Sequence, residues 1–319
     1  MANLPVFFFH GAGGNAANGI AFDQFATEQR PVISLNFAEN EASLQPLPGQ
    51  VQLAIEQIRN YTRNDSRFDN GYTFIGHSLG GIIARGVVEE MDDHNAHVLI
   101  SLASPHTGLC HGPQADPNIA QQFGVVLLNS YSLPVEIFDF AKYSIDTIKE
   151  GHLLVDLMEV MEKHPEITQN SSISSLLRYP VRKIWLDLKP YLSTIGNLEQ
   201  SCDEDKQRRK NNLLKLKEFH AFTSPQDGVL EPYQSGVFGH YTEVADSAEL
   251  LAKFKTLGTV DMKDTVEYKE DTYGLRSLDK RGGLFRHVVD QVPHTCWVMD
   301  DGDCSVKKIL ETQLAPILN

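Results

Sequence analysis

The alternation of hydrophobic and polar positions changes rhythm several times along this chain, and each change predicts an element. Residues 5–9 form a short apolar run ending in His10-Gly11-Ala12-Gly13-Gly14, a sequence suited to a flexible loop. A helix around residues 22–29 precedes residues 31–36, which alternate as a strand does. Over residues 49–62, Val51, Ile55, Ile58 and Thr62 fall on one helical face. The turn signal Asp69-Asn70-Gly71 leads into a strand over residues 72–75. After a helix over residues 79–91, residues 97–102 form another strand with an apolar centre. Strands separated by helices imply a parallel sheet with helices on both faces.

Beyond Ser104-Pro105 the pattern changes. Helical faces fall at residues 119–128, 135–148 and 153–161, with no alternation of strand and helix. The mixed-charge run Asp203-Glu204-Asp205-Lys206-Gln207-Arg208-Arg209-Lys210 closes this region and reads as a solvated helix surface. Strand character returns at residues 218–223 and 284–292. The chain then ends in a helix with Val306, Ile309, Leu310, Leu314 and Ile317 on one side. The expected organisation is an α/β core, residues 1–104 and 214–319, interrupted by a mainly helical cap over residues 105–213.

Composition narrows the partners. The chain has 319 residues, enough for one large core, and a formal charge of -14. That charge argues against a nucleic-acid partner, which needs concentrated Lys and Arg, and against electrostatic docking on anionic membranes. No apolar run approaches the ~20 residues needed to span a bilayer. Met1-Ala2-Asn3-Leu4-Pro5 passes straight into the first strand without a basic leader segment. The expectation is a chain without a signal peptide, or a mature form behind a start Met. Cys110, Cys202, Cys296 and Cys304 allow three pairings if all are oxidised, or stand as four separate thiols. Among pairings, Cys296–Cys304 would tie the loop after His294 to the C-terminal helix. Asn60, Asn64 and Asn170 head glycosylation sequons that lean towards a secretory setting.

The chemistry centres on Gly76-His77-Ser78-Leu79-Gly80-Gly81, a G-x-S-x-G directly after a strand and before a helix. A serine on so sharp a turn projects its hydroxyl from the sheet, and its neighbours two residues away must lack bulk. The oxyanion donors expected are the amides of Leu79 and of Ala12, in the loop after the first strand. On this pattern the fold is an α/β hydrolase, in which the acid and then the histidine follow the serine in sequence. His294 lies in a loop beyond the last strand, whereas its competitor His287 sits inside that strand. Asp227 follows the strand over residues 218–223, with Asp261 and Asp264 as alternatives. Asp227 would hold His294 in the tautomer that takes the proton of Ser78. A zinc site at His106, Cys110 and His111 lacks a fourth ligand at a recognisable spacing, so no metal is expected.

Several segments resemble the palmitoyl-protein thioesterases, nearest their lysosomal PPT2-type branch. They are the run from Ser224 through Ser235 with Phe238-Gly239-His240-Tyr241, then Asn212-Leu213-Leu214-Lys215-Leu216, Tyr273-Gly274-Leu275, and Pro293-His294-Thr295 with Trp297. The resemblance maps Ser78, Asp227 and His294 onto the family's triad, and Ala12 and Leu79 onto its oxyanion positions. One departure is Leu79, where the family usually has Gln. What the resemblance implies is cofactor-free hydrolysis of a fatty acyl thioester, on an S-palmitoylated peptide or acyl-CoA, through an acyl-enzyme. A carboxylester or lipid hydrolase, and a catalytically silent binding protein, are the alternatives. Phe123, Val125, Leu127, Leu128, Ile137 and Phe138 of the cap are candidates to line an acyl groove, or else to form the cap's own core. The family is usually secretory and disulfide-bonded, which implies a lysosomal or secreted protein, with the cytoplasm as the alternative.

Overall fold

In the computed structural model, strand β1 (Val6–Phe9) is buried along its whole length, so side chains above and below it meet apolar neighbours. That environment belongs to a strand inside a sheet covered on both faces. The structure describes residues 4–199 and 201–318; Met1, Ala2 and Asn3 of the N-terminal segment lie outside the described residues. The remaining strands are β2 (Val32–Ser34), β3 (Tyr72–His77), β4 (Ala96–Leu102), β5 (Glu218–Thr223), β6 (His240–Tyr241), β7 (Thr259–Val260) and β8 (Leu284–Val288). Six of them form one sheet in the order β2-β1-β3-β4-β5-β8, parallel throughout, while β6 and β7 pair as a small antiparallel ribbon. Among the described residues no helix is long and apolar enough to cross a membrane.

Helix α1 (Leu47–Asn64) buries Val51, Ile55 and Ile58 as their spacing predicts, and Thr62 is half-buried at its outer end. Helix α2 (Leu79–Glu90) is apolar on nearly every side because it lies between the sheet and other helices. The helix expected at residues 22–29 is displaced. A 3-10 helix occupies Ala16–Phe25, started by Asn15, whose Oδ1 accepts the Ala17 amide, and by Asn18, whose Oδ1 accepts the Asn15 amide. The last strand stops at Val288, four residues before the expected end, and Gln291 takes a left-handed backbone (φ 63°) that turns the chain out of the sheet.

Between β4 and β5 the chain makes a long, mainly helical excursion that contributes no strand to the sheet among the described residues. Pro117–Phe123 is helical and runs on into a wider π-helical turn, Gly124–Asn129. The continuous helix expected over residues 135–148 does not form. Asn129 donates from Nδ2 to the carbonyls of Leu133 (2.8 Å) and Phe138 (2.6 Å), which folds the chain back on itself there. Only Phe140–Lys142 and Ile145–Lys149 are helical in that stretch, and His152–Lys163 forms as its periodicity predicts.

The mixed-charge run is helical (Asp203–Leu213) but is more than a solvated surface. Arg208 meets Glu90 at 2.6 Å, while buried Arg209 donates to Asn197 at 3.0 Å. Asn212 reaches the Glu89 carbonyl (3.0 Å) and Asp92 (2.7 Å), so this helix clamps the returning chain onto the end of α2. Cys296 and Cys304 are disulfide-bonded; Cys110 is a buried free thiol and Cys202 an exposed one.

Candidate active site

Ser78 sits where β3 turns into α2, in a strained backbone conformation (φ 55°, ψ -125°). The glycines on either side answer to close packing. A Cβ on Gly76 would lie 2.5 Å from the Gly81 Cα, and one on Gly80 would collide with the Phe9 carbonyl. The Ser78 amide is anchored to the Leu102 carbonyl at 2.8 Å, and its side chain makes no helix cap. The hydroxyl is left for another partner.

That partner is His294, whose Nε2 lies 3.0 Å from Ser78 Oγ. On the other side of the ring, Nδ1 lies 2.8 Å and 3.0 Å from the two carboxylate oxygens of Asp227. In the neutral tautomer that donates from Nδ1 to the carboxylate, Nε2 accepts the serine proton. The Asp227 side chain is shielded from solvent, and its Oδ1 also accepts the amides of Val229 (3.1 Å) and Leu230 (2.6 Å). These bonds hold the carboxylate independently of the histidine. The two loops are stitched together further back. Gln291 donates its amide to Gln226 Oε1 at 2.8 Å, and Val292 donates to Ser224 Oγ at 3.2 Å.

One neighbour escaped the sequence reading. His77, the variable position before Ser78, donates from Nε2 to the His294 carbonyl at 2.8 Å, with ring centroids 4.9 Å apart. Burial, reinforced by the facing His294, pushes its pKa down to about 3, so the ring stays neutral. Nothing in the sequence marks that position, since the motif tolerates any residue there.

Ala12 and Leu79 both border Ser78, and among the described residues neither backbone amide has a hydrogen-bond partner in the protein. Leu79 opens α2, so its N–H also carries the positive end of the helix dipole. A cavity of about 200 Å³ starts at Ser78, Ala12 and His294 and runs between Leu109, Phe123, Leu127, Ile173 and Leu176. Of the six candidate acyl-binding residues, the structure therefore brings Phe123 and Leu127 to it. Leu128 turns into the core, Val125 and Ile137 are 36% and 38% exposed, and Phe138 packs on Phe140 and Tyr143. The wide π-turn and the fold-back at Asn129 account for the difference. Ile173 and Leu176 reach the cavity from a distant segment, and no periodicity could have announced them.

The competing residues lie elsewhere. His287 stacks on Phe222 at 4.1 Å within the sheet, Asp261 pairs with Arg286 at 2.7 Å, and Asp264 lies 3.5 Å from Lys269. His106 bonds Ser101 at 2.7 Å, and among the described residues no group of three or more His, Cys, Asp or Glu could hold a metal.

A fully parallel sheet with the G-x-S-x-G turn after β3, and with the loops that bring Asp227 and His294 to Ser78 after β5 and β8, defines the α/β-hydrolase fold. Within that class, the chain matches the palmitoyl protein thioesterase family over residues 5–294 and belongs to it. It is a thioesterase-family hydrolase. It is 27% identical to the lysosomal thioesterase PPT2-B of Xenopus laevis, over 92% of this chain and 87% of that one. The human lysosomal thioesterase PPT2 is 26% identical, over 92% and 82%. Among solved structures, the mature lipase BlEst2 of Bacillus licheniformis is similar at a TM-score of 0.48, with 12% identity over 100% of this chain and 93% of that one.

Proposed function

We propose that the protein hydrolyses long-chain fatty acyl thioesters, such as palmitoyl thioesters of proteins or CoA, with Ser78 as nucleophile, His294 as base and Asp227 as its orienting acid. The observation that carries this reading is His294 bridging Ser78 and Asp227 at the mouth of an apolar cavity. Ser78 Oγ attacks the thioester carbonyl as its proton passes to His294 Nε2, and the oxyanion rests on the Ala12 and Leu79 amides. The C–S bond breaks, and the sulfur leaves as the thiol with the proton from His294. Water, deprotonated by the same imidazole, then releases the fatty acid and restores Ser78. The helical excursion, residues 105–213, acts as the cap that walls the acyl cavity, with Phe123 and Leu127 as its contacts.

The lysosomal naming of the Xenopus and human relatives, together with the Cys296–Cys304 disulfide, supports a lysosomal or secreted location. The test of the chemistry compares matched S-linked and O-linked palmitoyl substrates, with fluorophosphonate labelling of the wild type and of Ser78→Ala. Faster thioester turnover, and labelling that vanishes in the variant, is the expected result. Preference for the oxygen ester would make the protein a lipid esterase, and an unlabelled wild type would make it a binding protein.

A further inference from the structure

Ser78, Ala12 and His294 border not one cavity but two. The second, about 230 Å³, is lined beyond these three by a different set of residues: Gly11, Gly13, Gly14, Asn18 and His77, with Thr295, Val298 and Met299. The two differ in which loops build them. The apolar cavity takes only His294 from the base-bearing turn, whereas the second takes that turn's Thr295, Val298 and Met299 as well. A departing sulfur must sit beside the imidazole that protonates it, and so belongs on the side built by that turn.

The lining is uncharged but not apolar. It holds no Asp, Glu, Lys or Arg, and His77 stays neutral. Its polar character comes from the backbone of the glycine loop, from Thr295, whose hydroxyl donates to Asp301, and from Asn18. That side chain is half-buried, and its Oδ1 accepts the Asn15 amide at 2.8 Å. Its Nδ2 has no protein partner among the described residues and can donate to a carbonyl. Met299, 44% exposed, stands at the rim.

We infer that this second cavity binds the thiol half of the substrate, as an uncharged arm carrying amide groups, with Asn18 donating to an amide carbonyl. The inference rests on the proposed thioesterase reading. Such an arm is common to pantetheine and to a cysteine within a peptide, and the absence of charge leaves a nucleotide phosphate outside.

The test measures kcat/KM for octanoyl thioesters of butanethiol, N-acetylcysteamine, pantetheine and N-acetylcysteine amide. Comparing the last two separates a CoA-like arm from a peptide cysteine. Asn18→Asp keeps the Oδ1 contact and removes the donor. It should lower the preference for amide-bearing thiols over butanethiol roughly three- to tenfold, the worth of one neutral hydrogen bond. Met299→Trp should penalise pantetheine more than butanethiol without changing the dependence on acyl length. Leu127→Trp should do the reverse, shortening the accepted acyl chain with every thiol. If Met299→Trp alters acyl-length dependence, or Asn18→Asp leaves the thiol preference intact, the assignment is overturned. Failure of the wild type to cleave any of these thioesters would instead remove the underlying thioesterase reading.

Discussion

His294 and Asp227 are joined twice, once through their side chains and once through their backbones. The His294 amide donates to the Asp227 carbonyl at 3.0 Å, while its ring contacts the same residue's carboxylate at 2.8 Å. Imidazole and carboxylate thus form one rigid unit, and Ser78 meets it from the other side of the ring.

That double tie predicts how Asp227→Asn behaves. The backbone bond survives and holds the turn in place, but an amide no longer selects the Nδ1–H tautomer. We expect kcat to fall roughly 10⁴-fold with KM little changed, as when a triad carboxylate is neutralised in serine proteases. Steady-state kinetics with circular dichroism checks it; an unfolded variant or one of normal rate would contradict it.

His77 should act as a positioning residue. His77→Phe keeps the ring volume but leaves the His294 carbonyl without its donor, at a cost of about 1–3 kcal/mol. We expect kcat to drop on the order of tenfold, partial recovery in His77→Gln, and an unshifted acid limb in the pH–rate profile, because His77 does not titrate above about 3.

Cutting the disulfide should loosen the base before it unfolds the sheet. The Cys296–Cys304 bond closes a sequence separation of 8, immediately after His294. Loop-closure entropy gives it about 2–3 kcal/mol. Cys304→Ser should lower Tm and reduce kcat more than it raises KM. An unchanged kcat at a temperature where the variant stays folded would show that the turn holds itself.

His111 offers a stability test. Both its ring nitrogens are shielded and unpartnered, and burial pushes its pKa down to about 4. Between pH 6.5 and 4 the unfolded chain takes up a proton that the folded chain refuses, so stability contributed by this residue falls with pH across that window. His111→Leu removes the effect. Its gain over wild type should be larger at pH 5 than at pH 7.5 by about 2 kcal/mol, measured by urea unfolding at both values.

The sheet and the elbow are readable from sequence because their constraints are local. A buried strand, a glycine-flanked serine and an amphipathic helix follow one another within residues 72–91. The placement of Asp227 and His294 beside Ser78 follows for a different reason, since the fold fixes the order in which their strands arrive. What resists reading depends on distant partners. The side chain of Asn129 folds residues 133–138 back instead of letting a helix run on, Arg209 is buried against Glu90, Asn197 and Ser201, and Ile173 comes to the cavity from a separate turn.

Strand order also bears on synthesis. The serine is encoded before the excursion, while β5 and β8, with the loops that carry aspartate and histidine, are translated after it. On the proposed triad, a nascent chain paused between α2 and the final strand carries Ser78 without the residues that would activate it. If that triad is the catalytic one, hydrolysis switches on only once the last section has docked, and activity then reports completed folding.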